Sequence, residues 1–333
     1  MKNPSVSALP PPVAENKILI VRGGAIGDFI LTLPVLSALR EQFPRAHLAV
    51  LGYPRIAELA RWGGLADDVR SLEDRAIARF FARNAELDEE WTRYLSQFAI
   101  VISYLFDPDG IFQENVARCT PAQFLAGPHR PEDTGGLHAT EVLMQPLQRL
   151  AIFAEGAVPR LEGPPKGIRN GHPSSPETCD ALTNWVAGGR TLAVHPGSGS
   201  DKKNWPESHW RLLLAELVQA EDLQLLIIGG EAEGDRLERL TKGFPAERFR
   251  LLRSRPLTEV ATAIAGCDRF LGHDSGISHL AAAIGRPTTV LWGPSVETVW
   301  RPKGENVSIL RHPEGLQRLD VMSVLRAIVT AGH

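Results

Sequence analysis

Two hydrophobic rhythms alternate along the chain. Short, nearly continuous apolar runs suit parallel strands covered on both faces, and stretches with apolar residues every third or fourth position suit amphipathic helices. Lys17 to Val21 is the first such run, and it is followed by Phe29, Leu33, Leu36, Leu39 and Phe43 at helical spacing, with Pro34 read as lying in the first turns. His47 to Leu51 and Phe98 to Ser103 are further strand candidates in the first half. In the second half the candidates are Thr191 to Val194, Leu223 to Ile228, Phe249 to Leu252, Arg269 to Gly272 and Thr288 to Trp292. Trp210, Leu213, Leu214, Leu217 and Val218 mark one helical face between them. Such alternation predicts parallel sheets wrapped by helices, hence two doubly wound α/β domains. The Pro/Gly/Ser-rich segment from Val158 to Pro176 separates the halves and reads as a linker. Two domains so joined leave a cleft, with ligands at the carboxyl ends of strands.

Composition narrows the class. With 43% hydrophobic and 23% charged residues, the 333-residue chain is an ordinary globular protein of about two domains. Its net charge of −3 gives no global basic character for a nucleic-acid partner. No apolar run is long enough to span a membrane. Residues 1–16 read as a loose tail and not a signal peptide. Cys119, Cys179 and Cys267 are widely spaced, as expected of buried thiols in a reducing compartment.

Three strand-to-helix loops carry chemistry. Arg22-Gly23-Gly24-Ala25-Ile26-Gly27-Asp28 resembles a dinucleotide loop, but Arg22 occupies the first glycine position and no ribose-binding acid follows the second strand, which argues against NAD. Asp28 taken alone is explained by dipole complementation in a first helical turn. His195 to Pro206 offers small residues and two lysines, a cradle for a diphosphate or an exposed loop. Gly272 to Leu280 places Ser275 as N-cap, with the amides of Gly276 and Ile277 turned toward an anion. Between them, Gly229-Gly230-Glu231-Ala232-Glu233 is a turn with acids at its mouth that could meet a ribose. Asp107-Pro108-Asp109 precedes Gly110 and reads as a turn, not a metal site. Neither zinc motif, nucleophile elbow nor P-loop is present. Arg75, Arg79 and Arg83 form a basic stripe on a predicted helix, with flanking acids suggesting a solvated face.

Taken together, the first loop with Thr32-Leu33-Pro34, the second with Lys203-Asn204-Trp205-Pro206 and the third with Asp274-Ser275-Gly276-Ile277-Ser278-His279-Leu280 resemble glycosyltransferase family nine, whose best-known members are ADP-heptose:lipopolysaccharide heptosyltransferases. The resemblance runs from about Lys17 to Arg301. It implies a GT-B fold of two Rossmann-like domains facing a cleft. Residues 17–158 would bind the acceptor, 159–178 link, and 179–315 bind the nucleotide sugar. Residues 316–333 would form a helix packing back on the first domain. It also implies an inverting transfer, without metal or cofactor, from a nucleotide sugar such as ADP-heptose to an anionic, lipid-linked saccharide. The setting would be the cytoplasm, at the inner face of the plasma membrane. By resemblance, Asp28 is the catalytic base and Lys203 contacts the donor phosphates. Ser198, Asp274, Ser275, Gly276, Ile277 and His279 hold the donor, with Glu233, or else Glu231, on its ribose. Gly24 and Arg79 are the acceptor-side candidates. Gly23 replaces a larger apolar residue of relatives and would widen the acceptor side. Other readings are a GT-B epimerase, a protein-directed glycosyltransferase and a non-catalytic nucleotide-binding module. A dehydrogenase is disfavoured by the loop itself.

Overall fold

The structure is a computed structural model that describes residues 16–153, 155–163 and 190–330. The N-terminal stretch before residue 16, most of the expected linker and Cys179 lie outside the described residues.

The described residues form two all-parallel sheets. The first comprises β1 (Lys17–Arg22), β2 (His47–Gly52), β3 (Asp68–Ser71), β4 (Phe98–Ser103) and β5 (Gln123–Ala126), in the order β3-β2-β1-β4-β5. The second comprises β6 (Arg190–His195), β7 (Leu223–Gly229), β8 (Phe249–Arg253), β9 (Arg269–His273), β10 (Thr288–Leu291) and β11 (Val307–Leu310), in the order β11-β10-β9-β6-β7-β8. The apolar runs correspond to β1, β2, β4 and β6 to β10 within a residue or so at either end. Three strands were missing from the sequence reading: β3, β5 and β11. All three are edge strands of four residues, too short to stand out as apolar runs.

Helices α1 (Ile26–Gln42), α2 (Pro54–Trp62), α3 (Glu89–Leu95), α4 (Ile111–Ala117) and α5 (Ala139–Met144) accompany the first sheet. Helices α6 (Glu207–Gln219), α7 (Arg236–Thr241), α8 (Leu257–Ala265), α9 (Gly276–Ala283), α10 (Glu297–Trp300) and α11 (Val321–Thr330) accompany the second. Strand alternation divides the apolar residues among three layers. Leu19 and Val21 of β1 face an outer layer with Phe80, Trp91 and Phe112. Leu192 and Val194 of β6 face another with Trp205, Trp210 and Leu213. Ile18 and Ile20 of β1 share a middle layer with Ala193 of β6 and Phe270 of β9. That middle layer is continuous between the sheets, with α1 against α9 and α2 against α8. Trp62 Nε1 donates to Thr262 Oγ1 across it at 3.2 Å.

Three expectations are corrected. Pro34 lies well inside α1, beyond the first turn. No helix carries Arg75, Arg79 and Arg83; a single 3₁₀ segment, Ile77–Phe81, stands there, buried through Ile77 and Phe80. The C-terminal helix α11 does not cross to the first sheet. Its Val324 and Ile328 bury in the layer outside the second sheet, against α6, because Trp205 and Trp210 leave an apolar groove there. Among the described residues no helix is long and apolar enough to cross a membrane.

Candidate active site

A cleft of about 740 Å³ opens at the carboxyl ends of β1, β4, β6 and β9, between the two halves. Its first wall is built by the turn after β1. Gly24 holds φ at +95° there, a left-handed angle suited to glycine. Helix α1 then starts without a side-chain cap from Ala25. The Asp28 carboxylate folds back instead, accepting the Ala25 amide at 2.9 Å, and remains about one-third exposed to the cleft.

Beneath it lies Arg22, only 2% exposed. Its Nη1 donates to the His129 carbonyl at 2.8 Å and its Nη2 to the Asp28 carbonyl at 3.2 Å, with the Asp28 carboxylate 3.8 Å away. Burial lowers the guanidinium pKa below its ordinary value, and Asp28 opposes that shift.

The second wall carries Lys203 and α9. Lys203 Nζ pairs with Asp274 Oδ2 at 2.6 Å, and Ser295 donates to the same oxygen at 2.5 Å. Ser275 is the N-cap residue by position, but its hydroxyl contacts His195 Nδ1 (3.3 Å) and Ser278 Oγ (3.5 Å), not a backbone amide. Helix α9 therefore presents its first turn to the cleft without a side-chain cap. His279 lines the cleft one turn on; it is buried, its Nδ1 has no partner, and burial holds its pKa well below the ordinary imidazole value.

The two walls touch at the helix starts. A Cβ on Gly276 would lie 2.5 Å from the Ile26 Cβ and 2.9 Å from the Gly27 amide nitrogen. The missing side chain at Gly276 is what allows α1 and α9 to begin side by side.

The structure thus brings Gly24, Asp28, Lys203, Asp274, Ser275, Gly276 and His279 together on one cleft. It keeps four expected side chains off that wall. Ser198 turns its hydroxyl onto the Ser200 carbonyl of its own loop at 2.7 Å. Glu233 is folded under the loop, accepting the Gly230 amide at 2.5 Å and lying 3.8 Å from His195 Nε2, in the space left by the missing side chain of Gly197. The Ile277 side chain buries in the middle layer, while the backbone amide for which the residue was singled out stands in the first turn of α9. Arg79 is exposed and donates weakly to the Glu86 carbonyl at 3.5 Å. The Asp107 carboxylate takes the amides of Phe112 (3.1 Å) and Gln113 (3.0 Å), and Asp109 pairs with Arg83, so this triplet is a turn and helix start. Among the described residues no group of three potential ligands could hold a metal.

Residues not singled out complete the site. Tyr53, Phe106, His129, Arg130 and Trp300 line the cleft, with Arg130 stacked over Trp300 at 5.5 Å. Behind the second wall, His273 accepts from the Trp205 amide (2.8 Å) and Trp210 Nε1 (3.2 Å) through Nε2 and faces the Gly197 carbonyl at 3.2 Å through Nδ1. That arrangement fixes a neutral ring, whose pKa burial lowers to about 3, and ties the Lys203 loop to β9.

Comparison with known proteins agrees with this fold. Residues 162–324 match the family model for glycosyltransferase family 9 (heptosyltransferase). Lipopolysaccharide heptosyltransferase 1 of Escherichia coli is 34% identical over 129 residues, which span 38% of this chain and 40% of that protein. The enzyme of the same name from Pseudomonas aeruginosa is 25% identical over 293 residues, 84% of this chain and 79% of that one. The solved structure of E. coli ADP-heptose lipopolysaccharide heptosyltransferase II superposes with a TM-score of 0.74 at 17% identity, over 95% of this chain and 98% of that one. Two facing parallel sheets of this kind are the GT-B architecture, and the match over residues 162–324 together with these relatives marks the chain as a glycosyltransferase family 9 heptosyltransferase-like protein.

Proposed function

We propose that the chain transfers a sugar, with inversion, from an ADP-heptose-type donor to a hydroxyl of a lipopolysaccharide-type saccharide, using no metal ion. The observation that carries this reading is the opposition, across one cleft, of a partly exposed carboxylate (Asp28) and a cationic diphosphate cradle (Lys203 with the uncapped start of α9). The names of the matched relatives support the donor and acceptor classes.

In one displacement the acceptor oxygen bonds to the anomeric carbon and the bond from that carbon to the diphosphate oxygen breaks. The hydroxyl proton passes to Asp28, and the electron pair leaves on the nucleoside diphosphate. Lys203 and the α9 amides offset the growing negative charge. Asp274 holds the ammonium in place before the donor arrives. With a nucleotide-sugar donor and a lipid-linked acceptor, the working place is the cytoplasmic face of a membrane.

The test is Asp28→Ala. General-base assistance is worth about 10²–10⁴-fold, so kcat should fall by that factor while ADP affinity, read by calorimetry, stays the same. Turnover near wild type would remove Asp28 from this role. A chelator in the same assay should leave the wild-type rate unchanged.

A further inference from the structure

Phe106 is a large apolar side chain left 67% exposed, at the carboxyl end of β4. It stands at the rim of the main cleft and also lines a neighbouring cavity of about 250 Å³. The His129 ring shares both walls and meets Phe106 edge-on, 4.7 Å between centroids with an interplanar angle of 62°. The pair therefore holds one aromatic face open where the two cavities join.

The surroundings select the occupant. The small cavity has aromatic and proline surface from Phe106, Phe124 and Pro128, and polar groups from Ser103, Gln113 and His129. An acyl chain gains nothing from that polar half, whereas a pyranose ring has an apolar C–H face and a rim of hydroxyls that match both halves. Ligand cavities usually run from roughly 300 to 1,000 Å³, so this one suits a single ring and not a nucleotide.

Position fixes the role. The Arg22 guanidinium bridges the His129 carbonyl to the Asp28 carbonyl. The platform is thus tied through one buried side chain to the helix turn that carries Asp28.

We propose that Phe106 and His129 form a stacking subsite for a second pyranose ring of the acceptor, beside the ring whose hydroxyl approaches Asp28. This rests on the transferase reading above.

The test is equilibrium binding of saccharide fragments to the full chain saturated with ADP. One-ring and two-ring fragments cut from a lipopolysaccharide core are compared on wild type, Phe106→Ala and Phe106→Trp. Stacked aromatic contacts are worth about tenfold in affinity, so Phe106→Ala should weaken the two-ring fragment by about that factor and the one-ring fragment by less than about twofold. Phe106→Trp should restore two-ring binding, and the thermal midpoint of either variant should match wild type because the ring is exposed. Equal losses for both fragments, or no loss, would overturn the subsite. So would a sugar-free acyl lipid that displaces the two-ring fragment from wild type but not from Phe106→Ala. If wild type binds neither fragment, the acceptor assignment itself fails, a result distinct from those.

Discussion

A single methyl group at position 24 would meet two obstacles at once. The backbone there is left-handed, φ +95°, and the new Cβ would stand 2.8 Å from Asp28 Oδ2. The carboxylate would swing away from the Ala25 amide that now orients it. Misplacing a reacting group by about 1 Å can cost on the order of 10²-fold. Gly24→Ala should therefore lower kcat by about that factor while ADP affinity, set on the opposite wall, stays near wild type. Steady-state kinetics with calorimetry checks this, and full activity would mean Asp28 needs no such orientation. Gly197 is the counterpart on the other wall, leaving the space where the Glu233 carboxylate sits. Pro196 and Ser198 beside it read in the sequence as part of a diphosphate cradle or an exposed loop; in the structure Gly197 packs over Glu233, an acid from the turn after β7.

At the scale of elements, α1 and α9 are the pair on which the site depends, since each brings one wall's functional groups to its first turn. Their glycine contact predicts that Gly276→Ala costs about 1–3 kcal/mol, because the new Cβ meets the backbone at Gly27 and not a side chain that can turn away. ADP affinity should fall with it, since the start of α9 is displaced. Urea unfolding and ADP titration read the two effects; a variant within ~0.5 kcal/mol of wild type would mean the helix starts do not touch in solution. The sequence made these two helices and their strands legible because a parallel strand buried on both faces is a plain apolar run and a phosphate-facing turn is rich in small residues. The other wall residues were hidden for a physical reason. Phe106, His129 and Arg130 come from loops with no periodicity and Trp300 from the four-residue α10, and only the pairing of β4 with β1 and β5, and the packing of the two sheets, bring them to one place. Arg22 was visible only as a failed glycine. Arg75, Arg79 and Arg83 gave the opposite error: spacing resembled a helical stripe, but Phe80 buries and the segment closes as a tight turn.

For the whole molecule, the decisive feature is the middle layer shared by both sheets, since a large apolar interface binds two domains into one cooperative unit. Acid offers a way to test that unity mainly from one side, since three buried histidines lie in the second half and one, His138 at the start of α5, in the first. His195, His273 and His279 all belong to the second half and are held neutral by burial, His273 down to about 3 from the ordinary 6.5. In the unfolded chain they take up protons near their ordinary value. The folded state therefore keeps its full stability above about 6.5 and loses it as pH falls toward the folded values, at up to about 1.4 kcal/mol per pH unit for each ring. Were the halves independent, acidification from pH 7 to 5 would speed amide hydrogen exchange, corrected for its intrinsic pH dependence, far more in β6 and β9 than in β1 and β4, whose half holds only His138 of these buried rings among the described residues. With one shared layer, the first sheet cannot keep Ile18 and Ile20 buried once Ala193 and Phe270 leave, so protection in β1 and β4 should fall together with that in β6 and β9. Retention of first-sheet protection at pH 5 while the second sheet opens would break the molecule into two units, and the cleft would then have to assemble by docking and not by folding.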